Sequence, residues 1–270
     1  LTEQLGKQFI IDNRGGAGGT VGASVAAKAA PDGYTWFIGA THHTIAPSMY
    51  KNLDYDIEKS FIPVAMIANV PQVLVVNPQR VSARNAKDFQ ALMKQNPGKY
   101  NYASAGSGTV HHLAGELYKI QTGTFITHIP YRGAGPAMND LLAGQIDLEF
   151  DGLATSAPQI NAGKLVAIAV ASNKRSPAIP NVPTFQEAGL PDYIVSTWYS
   201  IFAPAGTPKP IVDKMIVEVQ KALNTPKLKS IWEKNGSDTP NLYGEAFGKQ
   251  VNADVARWAA VVKKSGAQLD

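Results

Sequence analysis

A glycine-rich turn at residues 104–109, "SAGSGT", has the residue types best suited to binding chemistry. It lies between an apolar run and a helix-like segment, and backbone N–H groups at a helix start have no partner within the helix. Together with the helix dipole, such groups bind anions. Ser107 and Thr109 add hydroxyl donors, and Gly106 and Gly108 allow a ligand to approach the backbone. The turn indicates an anion site or, in the plainer alternative, an ordinary helix cap.

A second glycine-rich stretch, "RGGAGGTVGA" at residues 14–23, follows the apolar run "FIID" and precedes a helix-like segment. Strand, glycine turn and helix together are the setting of dinucleotide-binding loops. Here Gly16, Gly18 and Gly22 have the wrong spacing, and no Walker lysine follows. The next strand ends in "GATHH", without the acidic residue that a ribose requires. We therefore expect no nucleotide and no other cofactor.

Hydrolytic and metal sites have little support in the sequence. Around Ser107, a nucleophile elbow would need glycines where Ala105 and Thr109 stand. His112 and Glu116 lie one helical turn apart, but the H-E-x-x-H motif is absent, so we expect metal-independent binding. An α/β enzyme acting on a small carboxylate or phosphorylated substrate, using His112, Glu116 or Asp151, remains the alternative function.

Two further polar residues could contact a ligand. Arg132 stands beside a predicted helix start, where it either meets a carboxylate or is solvated. Asp151 ends the apolar run "DLEFD", and strand ends are where α/β proteins place ligand contacts. Asp151 would otherwise cap the following turn.

Strands and helices alternate along the chain, which predicts an α/β fold with largely buried strands. Helices are expected at residues 21–30, 85–96, 110–121, 135–143, 208–223 and 242–265. The predicted strands are "QFIID", "YTWFIG", "FIPVAMIA", "QVLVVNP", "YNYASA", "FITHIPY", "QIDLEFD", "LVAIAVAS" and "TWYSIFAPA". Two stretches, "YNYASAGSGT" and "STWYSIFAPAGTP", are predicted to cross between two lobes.

Composition limits the classes of protein. The 270 residues, 44% hydrophobic, suffice for one large or two modest domains. The net charge of +4 is not gathered into basic tracts, so we expect no nucleic-acid partner. The absence of cysteine excludes disulfides, cysteine nucleophiles and cysteine-bound zinc. No apolar run is long enough to span a membrane, and no signal peptide is recognisable.

Several long segments, in the same order, resemble the Bug receptors, the TctC family of substrate-binding proteins of tripartite tricarboxylate transporters. They are "IIDNRGGAGGTVGASVAAKAAPDGYTWFIGATHHTIAPSMYKNLDYD", "YASAGSGTVHHLAGELYK", "IPYRGAGPAMNDLLAGQIDLEFD", "VPTFQEAGLPDY" and "WYSIFAPAGTPKPIVDKM". The resemblance covers nearly the whole chain. It implies a periplasmic solute-binding receptor without enzymatic activity that captures a small carboxylate and delivers it to the membrane permease subunits of a tripartite tricarboxylate transporter.

The resemblance also implies a fold and a site. The fold is a two-lobed, Venus-flytrap periplasmic binding protein, each lobe a sheet flanked by helices, with two crossover strands. We expect one lobe at residues 1–103 with 200–270 and the other at 104–199. The implied ligand-binding residues are Ser104, Ala105, Gly106, Ser107, Gly108, Thr109, Thr41, His42, Tyr131 and Asp151.

The resemblance leads to four further expectations. Family members have an upstream strand and glycine loop, the first jaw of a carboxylate pincer, whereas this chain opens inside a helix at "LTEQLG". We therefore expect that sequence upstream is missing, and that "NRGGAGGTVGA" is scaffold. The ligand is a di- or tricarboxylate, an acidic amino acid or an aromatic acid, and the receptor is a monomer.

Overall fold

The computed structural model describes residues 1–267. Its helices are α1 Thr2–Leu5, α2 Thr20–Ala27, α3 His42–Met49, α4 Ala86–Gln95, α5 Val110–Thr122, α6 Ala134–Leu142, α7 Leu153–Asn161, α8 Lys209–Leu223, α9 Pro226–Lys234 and α10 Gly244–Ser265. A 3₁₀ turn, Ala17–Gly19, leads into α2. The strands are β1 Phe37–Ala40, β2 Phe61–Val76, β3 Asn101–Ser104, β4 Thr127–Pro130, β5 Leu148–Gly152, β6 Val166–Val170 and β7 Ser196–Pro204.

The strands form a mixed sheet in the order β1-β7-β2-β5-β3-β4, with β6 also paired to β2. β7 is antiparallel to β1 and β2, whereas β3 is parallel to β4 and β5. The helices flank this sheet, and the α/β class predicted from alternating strands and helices is confirmed. No helix within residues 1–267 combines the length and apolar character needed to cross a membrane.

β2 is a single 16-residue strand where the sequence predicted two. Pro71 lies between the predicted strands "FIPVAMIA" and "QVLVVNP", and proline cannot donate to a ladder. Pro71 instead pairs with Ser196, the first residue of β7, and the Gln72 N–H then donates to Val195 O at 2.9 Å. β2 can continue because the ladder resumes directly after the proline.

The crossing between the two halves of the sheet also differs from the prediction. β2 pairs with β7 along residues 61–71 and with β5 and β6 along residues 72–76. β3, predicted to cross, pairs only with β4 and β5 among the described strands. β2 therefore spans both halves, and the chain enters β7 from the second half through Val195, whose N–H donates to Ala171 O at 3.0 Å.

The predicted first strand is absent. Residues 8–12 lie outside the described helices and strands, and Ile10 and Ile11 are 80% and 81% exposed. An apolar run forms a strand only when a neighbouring strand satisfies its backbone groups, and within residues 1–267 no strand pairs with it.

Three short helices, α3, α7 and α9, were not predicted from the sequence, and α3 and α7 each contain an internal proline, Pro47 and Pro158, which disfavours a helix. α3 is also buried over most of its surface, including Thr44, Ile45 and Ala46. A helix buried on several sides lacks the one-sided apolar pattern that identifies a surface helix. This helix matters because it begins at the predicted "GATHH" turn.

The long helix α10 packs along both halves of the sheet. Its Phe247 and Val251 contact the aromatic cluster around Trp198 and Phe202, whereas Trp258, closer to the C-terminus, joins the cluster of β3, β5 and α5. The Trp198 Nε1–H donates to Asp254 Oδ2 at 2.6 Å. Because one helix contacts both halves, the division at residues 103/104 and 199/200 stays a prediction.

Candidate ligand-binding site

A cleft of about 860 Å³ lies where the starts of three helices converge. The first residues of α3, α5 and α6, namely His42, Val110 and Ala134, all line it. Each of these helices has at least eight residues, and each directs unpaired N–H groups and the positive end of its dipole toward its start. The convergence makes the cleft favourable for a negatively charged ligand.

The turn 104–109 folds as the predicted N-terminal cap of α5. The Thr109 Oγ1–H donates to Gly106 O at 2.7 Å, and Thr109 Oγ1 accepts a long 3.5 Å hydrogen bond from His112 N. The backbone N–H groups of Val110 and His111 have no acceptor within the helix. Cap and anion site are thus compatible, since the cap uses only part of the donors.

Six of the ten residues predicted to bind ligand line the cleft. They are Ala105, Gly106, Ser107, Thr109, His42 and Tyr131. The structure therefore brings together residues from three separate segments of the chain. Ligand contact by each of them stays a prediction.

The other four predicted residues lie behind the cleft lining. Ser104 is buried, with its Oγ 2.7 Å from His128 Nε2. Gly108 has φ +79° and donates its N–H to His112 Nδ1 at 3.1 Å. Thr41 Oγ1 accepts from Trp198 N at 2.8 Å. These three support the turn and the helix starts, and Asp151 belongs to a separate buried group.

The opening glycine stretch forms part of the cleft wall. Gly16, Ala17, Gly18 and Gly19 line the same cavity as Ser107. The stretch thus forms part of the cleft wall, and its assignment as scaffold stays a prediction. The backbone supports a structural role, since Gly16, Gly18 and Gly19 have positive φ angles of 128°, 64° and 89°, which favour glycine. Local spacing could not reveal that this turn faces residues 105–109.

Histidines connect this glycine turn to α3. His43 Nδ1 accepts from Ala40 N at 3.0 Å, so the ring proton is on Nε2, which donates to Gly19 O at 3.3 Å. Burial lowers the pKa of His43 to about 4. Burial, together with His43 and His111, holds the pKa of His42 well below its usual value. Both histidines are neutral at pH 7, so they do not supply positive charge to the cleft.

Arg132 is the permanently charged side chain among the lining residues, and no acidic side chain of the described chain lines the cleft. It stands one residue before Gly133, the N-cap of α6. Its neighbour Tyr131 donates its hydroxyl to Asp140 Oδ2 at 2.8 Å. Burial and this carboxylate raise the pKa of Tyr131 to about 12, so the phenol stays protonated. Within the described chain, the cleft lining therefore carries one permanent positive charge and no acidic side chain.

Beneath the cleft lies a buried group that sequence reasoning did not assemble. His111 Nδ1 is 3.3 Å from Glu149 Oε1, and His111 Nε2 is 3.8 Å from Asp151 Oδ1. Burial raises the pKa of Glu149 to about 7, against the opposing effect of His111. Burial lowers the pKa of His111, but the two carboxylates outweigh it and the net shift is upward. The alternation Glu149-x-Asp151 in a buried strand was the signal available in the sequence.

With this geometry in place, comparison with known proteins identifies the family. The model of the tripartite tricarboxylate transporter family receptor, TctC, matches residues 1–267. The chain belongs to the TctC family.

Solved structures of similar proteins agree with this assignment. The periplasmic binding protein BugD is 37% identical with a TM-score of 0.90, over 99% of this chain and 90% of that chain. A Rhodopseudomonas palustris protein solved with adipate is 34% identical with a TM-score of 0.92, covering 98% and 89% of the two chains. MatC from the same organism, solved with malate, is 33% identical with a TM-score of 0.88, covering 97% and 90%. The periplasmic-binding-protein fold predicted for this TctC chain is confirmed.

The alternative enzymatic residues have structural partners in this TctC fold. Glu116 accepts from Lys119 Nζ at 2.7 Å and 2.8 Å and from the Tyr102 hydroxyl at 2.7 Å. His112 stacks on His128 with ring centroids 3.9 Å apart. Neither His112 nor Glu116 lines the cleft. Members of the family are solute-binding receptors, and the geometry of this pair adds no support for catalysis.

Proposed function

We propose that this protein is a periplasmic receptor that captures a small dicarboxylate in the cleft and delivers it to the membrane permease subunits of a tripartite transporter. The observation that carries the proposal is the convergence of three helix starts and Arg132 on a cleft without lining acids. Backbone donors at helix starts favour anions without fixing the ligand's shape. The carboxylate class thus follows from the donors, and the particular acid depends on the rest of the cleft.

Two neighbours support the choice of a dicarboxylate. One of these structures contains adipate and the other malate. These acids share two carboxylates and differ in length, and the cleft has space on that scale, within the usual range of ligand pockets. Here one carboxylate would lie against the turn 105–109 and the α5 start, and the second would face Arg132 or the turn 16–19.

Binding without chemistry is the expected activity. The cleft takes residues from the first glycine turn and α3, and from the turns before α5 and α6. Closure of the proposed lobes, 1–103 with 200–270 and 104–199, would bring these walls together around the acid. β2 and β7, which connect the halves of the sheet, would serve as the hinge.

A thermal-shift screen followed by calorimetry tests this function. Monocarboxylates, dicarboxylates, tricarboxylates, acidic amino acids and aromatic acids are compared at equal concentration. We expect one-to-one binding of a dicarboxylate, with the ligand recovered unchanged by NMR after prolonged incubation. Absence of binding by every carboxylate would contradict the receptor assignment, and the appearance of product would favour the α/β enzyme.

The matched variants are Ser107→Ala in the cleft and Ser172→Ala on the surface. Ser107 lines the cleft, whereas the Ser172 hydroxyl donates to Lys174 O in an exposed turn. Loss of one hydrogen bond to a charged group typically costs about 1.5–3 kcal/mol. We expect Ser107→Ala to weaken binding by at least about tenfold and Ser172→Ala to leave it unchanged. Equal affinities in the two variants would place the ligand elsewhere.

A further inference from the structure

The group beneath the cleft combines one imidazole with two carboxylates from different elements. Glu149 and Asp151 lie two residues apart on β5, and alternation along a strand directs both side chains to one face. His111 reaches them from the first turn of α5. One potential ligand atom from each residue lies within 4.8 Å of the other two. Such a set is compact enough to surround a single ion after small side-chain movements.

The carboxylates in this group are buried, and most of their oxygens accept no hydrogen bond from the described chain. Glu149 is fully buried and Asp151 is 1% exposed. Both oxygens of Glu149, Asp151 Oδ1 and His111 Nδ1 are buried without a hydrogen-bond partner in the described chain. Only Asp151 Oδ2 is well satisfied, by the hydroxyls of Thr155 and Ser156. Unpaired buried charges are costly, so such groups are usually paired or coordinate metals.

We propose that His111, Glu149 and Asp151 bind one divalent transition-metal ion, of the zinc or manganese type, at the base of the cleft. A mixed set of imidazole nitrogen and carboxylate oxygens suits these ions better than calcium or magnesium, which take oxygen ligands. One dication would neutralise both carboxylates and contact several of the oxygens that lack donors.

A proton is the main competitor for the same place. It would neutralise one carboxylate but satisfy only one of the three oxygens that lack a donor. His111 also lines the cleft, which gives an ion a path from solvent to the two buried acids. The sequence predicted no metal because the pair His112 and Glu116 lacks a metal-binding motif. Neither residue belongs to the buried group.

Zinc chloride alone is the probe, with no carboxylate present. The protein is treated with a chelator, dialysed, and titrated with zinc by calorimetry, with thermal unfolding measured in parallel. We expect one-to-one binding and a higher melting temperature with zinc. Cobalt substitution should give visible d–d absorption bands. No heat, no thermal shift and no cobalt spectrum would overturn the proposal.

Glu149→Gln, Asp151→Asn and a surface control, Glu245→Gln, identify the ligands. Glu245 is exposed on α10 and pairs with Lys249, so its variant changes the charge equally without touching the group. Because outer-shell partners alone typically change metal affinity by about 10–100-fold, we expect Glu149→Gln to lose more than about 100-fold. Wild-type zinc affinity in both buried variants would overturn the assignment.

Melting temperatures of the variants without metal distinguish an effect on folding from a loss of metal binding. Glu149→Gln removes a buried charge that lacks donors, so its metal-free melting temperature should equal or exceed that of the wild type. A folded Glu149→Gln protein that gains no stability from zinc supports the site. If it binds zinc as tightly as the wild type, Glu149 is not a ligand.

A consequence for carboxylate binding rests on the proposed function and is measured separately. Negative charge on the buried carboxyl groups beneath the cleft repels an anion, and a dication would remove that repulsion. Carboxylate affinity should therefore rise when zinc is bound. Zinc binding without any carboxylate binding would leave the metal site supported and the receptor function contradicted, so the two failures are distinguishable.

Discussion

At the residue scale, the cleft lining offers two kinds of group to an anion: backbone N–H donors at the helix starts and the charged side chain of Arg132. The helix starts are rigid parts of the fold, whereas Arg132 is exposed and belongs to a loop between β4 and α6. Helix-start donors favour any anion, so they set the ligand class. A charged side chain that reaches only one end of the ligand adds affinity, and this contribution decreases as salt screens the charge.

Replacing Arg132 by glutamine should weaken dicarboxylate binding by about fivefold, or about 1 kcal/mol, because an exposed charge pair is screened by solvent. The difference from the wild type should shrink as salt rises. Calorimetry at two salt concentrations measures both effects. Arg175→Gln is the control, since Arg175 pairs with Glu187 on the surface; an equal loss in that variant would indicate a general charge effect.

Gly108→Ala should destabilise the fold rather than block the ligand. Gly108 is buried behind the cleft wall with φ +79°, a conformation that costs other residues about 1–2 kcal/mol. Chemical denaturation should show a lower free energy of unfolding. Gly15→Ala is the control, because φ at Gly15 is not in the left-handed region and nothing lies near its added Cβ. Unchanged stability in Gly108→Ala would show that the turn tolerates a side chain.

At the element scale, α5 connects the turn 105–109 to the core. Its N-cap faces the cleft, and its buried residues, among them Leu113 and Tyr118, pack in the cluster of β3 and β5. The same helix also supplies His111 to the buried acidic group. Its position is therefore fixed by packing, and the cap only adjusts its first turn.

Thr109→Ala removes the N-cap of α5, and Thr225→Ala removes that of α9. Both side chains accept from a backbone N–H three residues later. Each loss should cost about 1 kcal/mol of stability. Only Thr109→Ala should also weaken carboxylate binding, because α9 lies away from the cleft lining. Parallel denaturation and calorimetry measure the two effects, and equal ligand affinities would contradict a role for this cap in binding.

At the scale of the whole molecule, β2 runs through both halves of the sheet, and β7 packs beside it in the first half. Both strands have residues in the clusters around Phe61 and Val64, and β2 also enters the cluster of α5 and β5. That cluster includes Ile45 of α3 and Trp258 of α10, so the packing crosses between the halves. A cleft at this junction can change width when the halves rotate.

Saturating dicarboxylate should make the protein more compact through closure of this cleft. Small-angle scattering should give a smaller radius of gyration with ligand than without it. The Arg132→Gln variant at the same ligand concentration, but below its own saturation, should show a smaller change. Binding by calorimetry without any compaction would contradict the hinge and the proposed lobe division.

Acid should destabilise the fold through buried neutral histidines. Burial lowers the pKa of His43 to about 4, and burial with His112 lowers that of His128 to about 3. The unfolded chain therefore binds protons first, so these contributions are complete above about pH 6.5 and are lost as the pH falls toward the folded values. For His43 the loss is about 3 kcal/mol. Urea unfolding from about pH 7.5 to about pH 5 should show about 2 kcal/mol of this loss, since the rest follows only as the pH approaches the folded pKa.

His43→Gln is the variant that isolates this effect. It removes the titrating ring, so the free energy of unfolding should depend less steeply on pH in the variant than in the wild type. Parallel curves for the two proteins would show that His43 does not contribute to acid sensitivity.

The sequence by itself determined the family, the α/β class, most of the regular elements and the helix-capping turn at 104–109. These depend on local signals: glycines that permit positive φ, cap residues, and apolar periodicity. Only the tertiary structure joined the two predicted strands into β2, placed Gly16–Gly19 opposite Ser107, and brought His111 to Glu149 and Asp151. Each of these results depends on contacts between residues far apart in the chain, and such contacts are decided by how the sheet orders its strands and packs its helices.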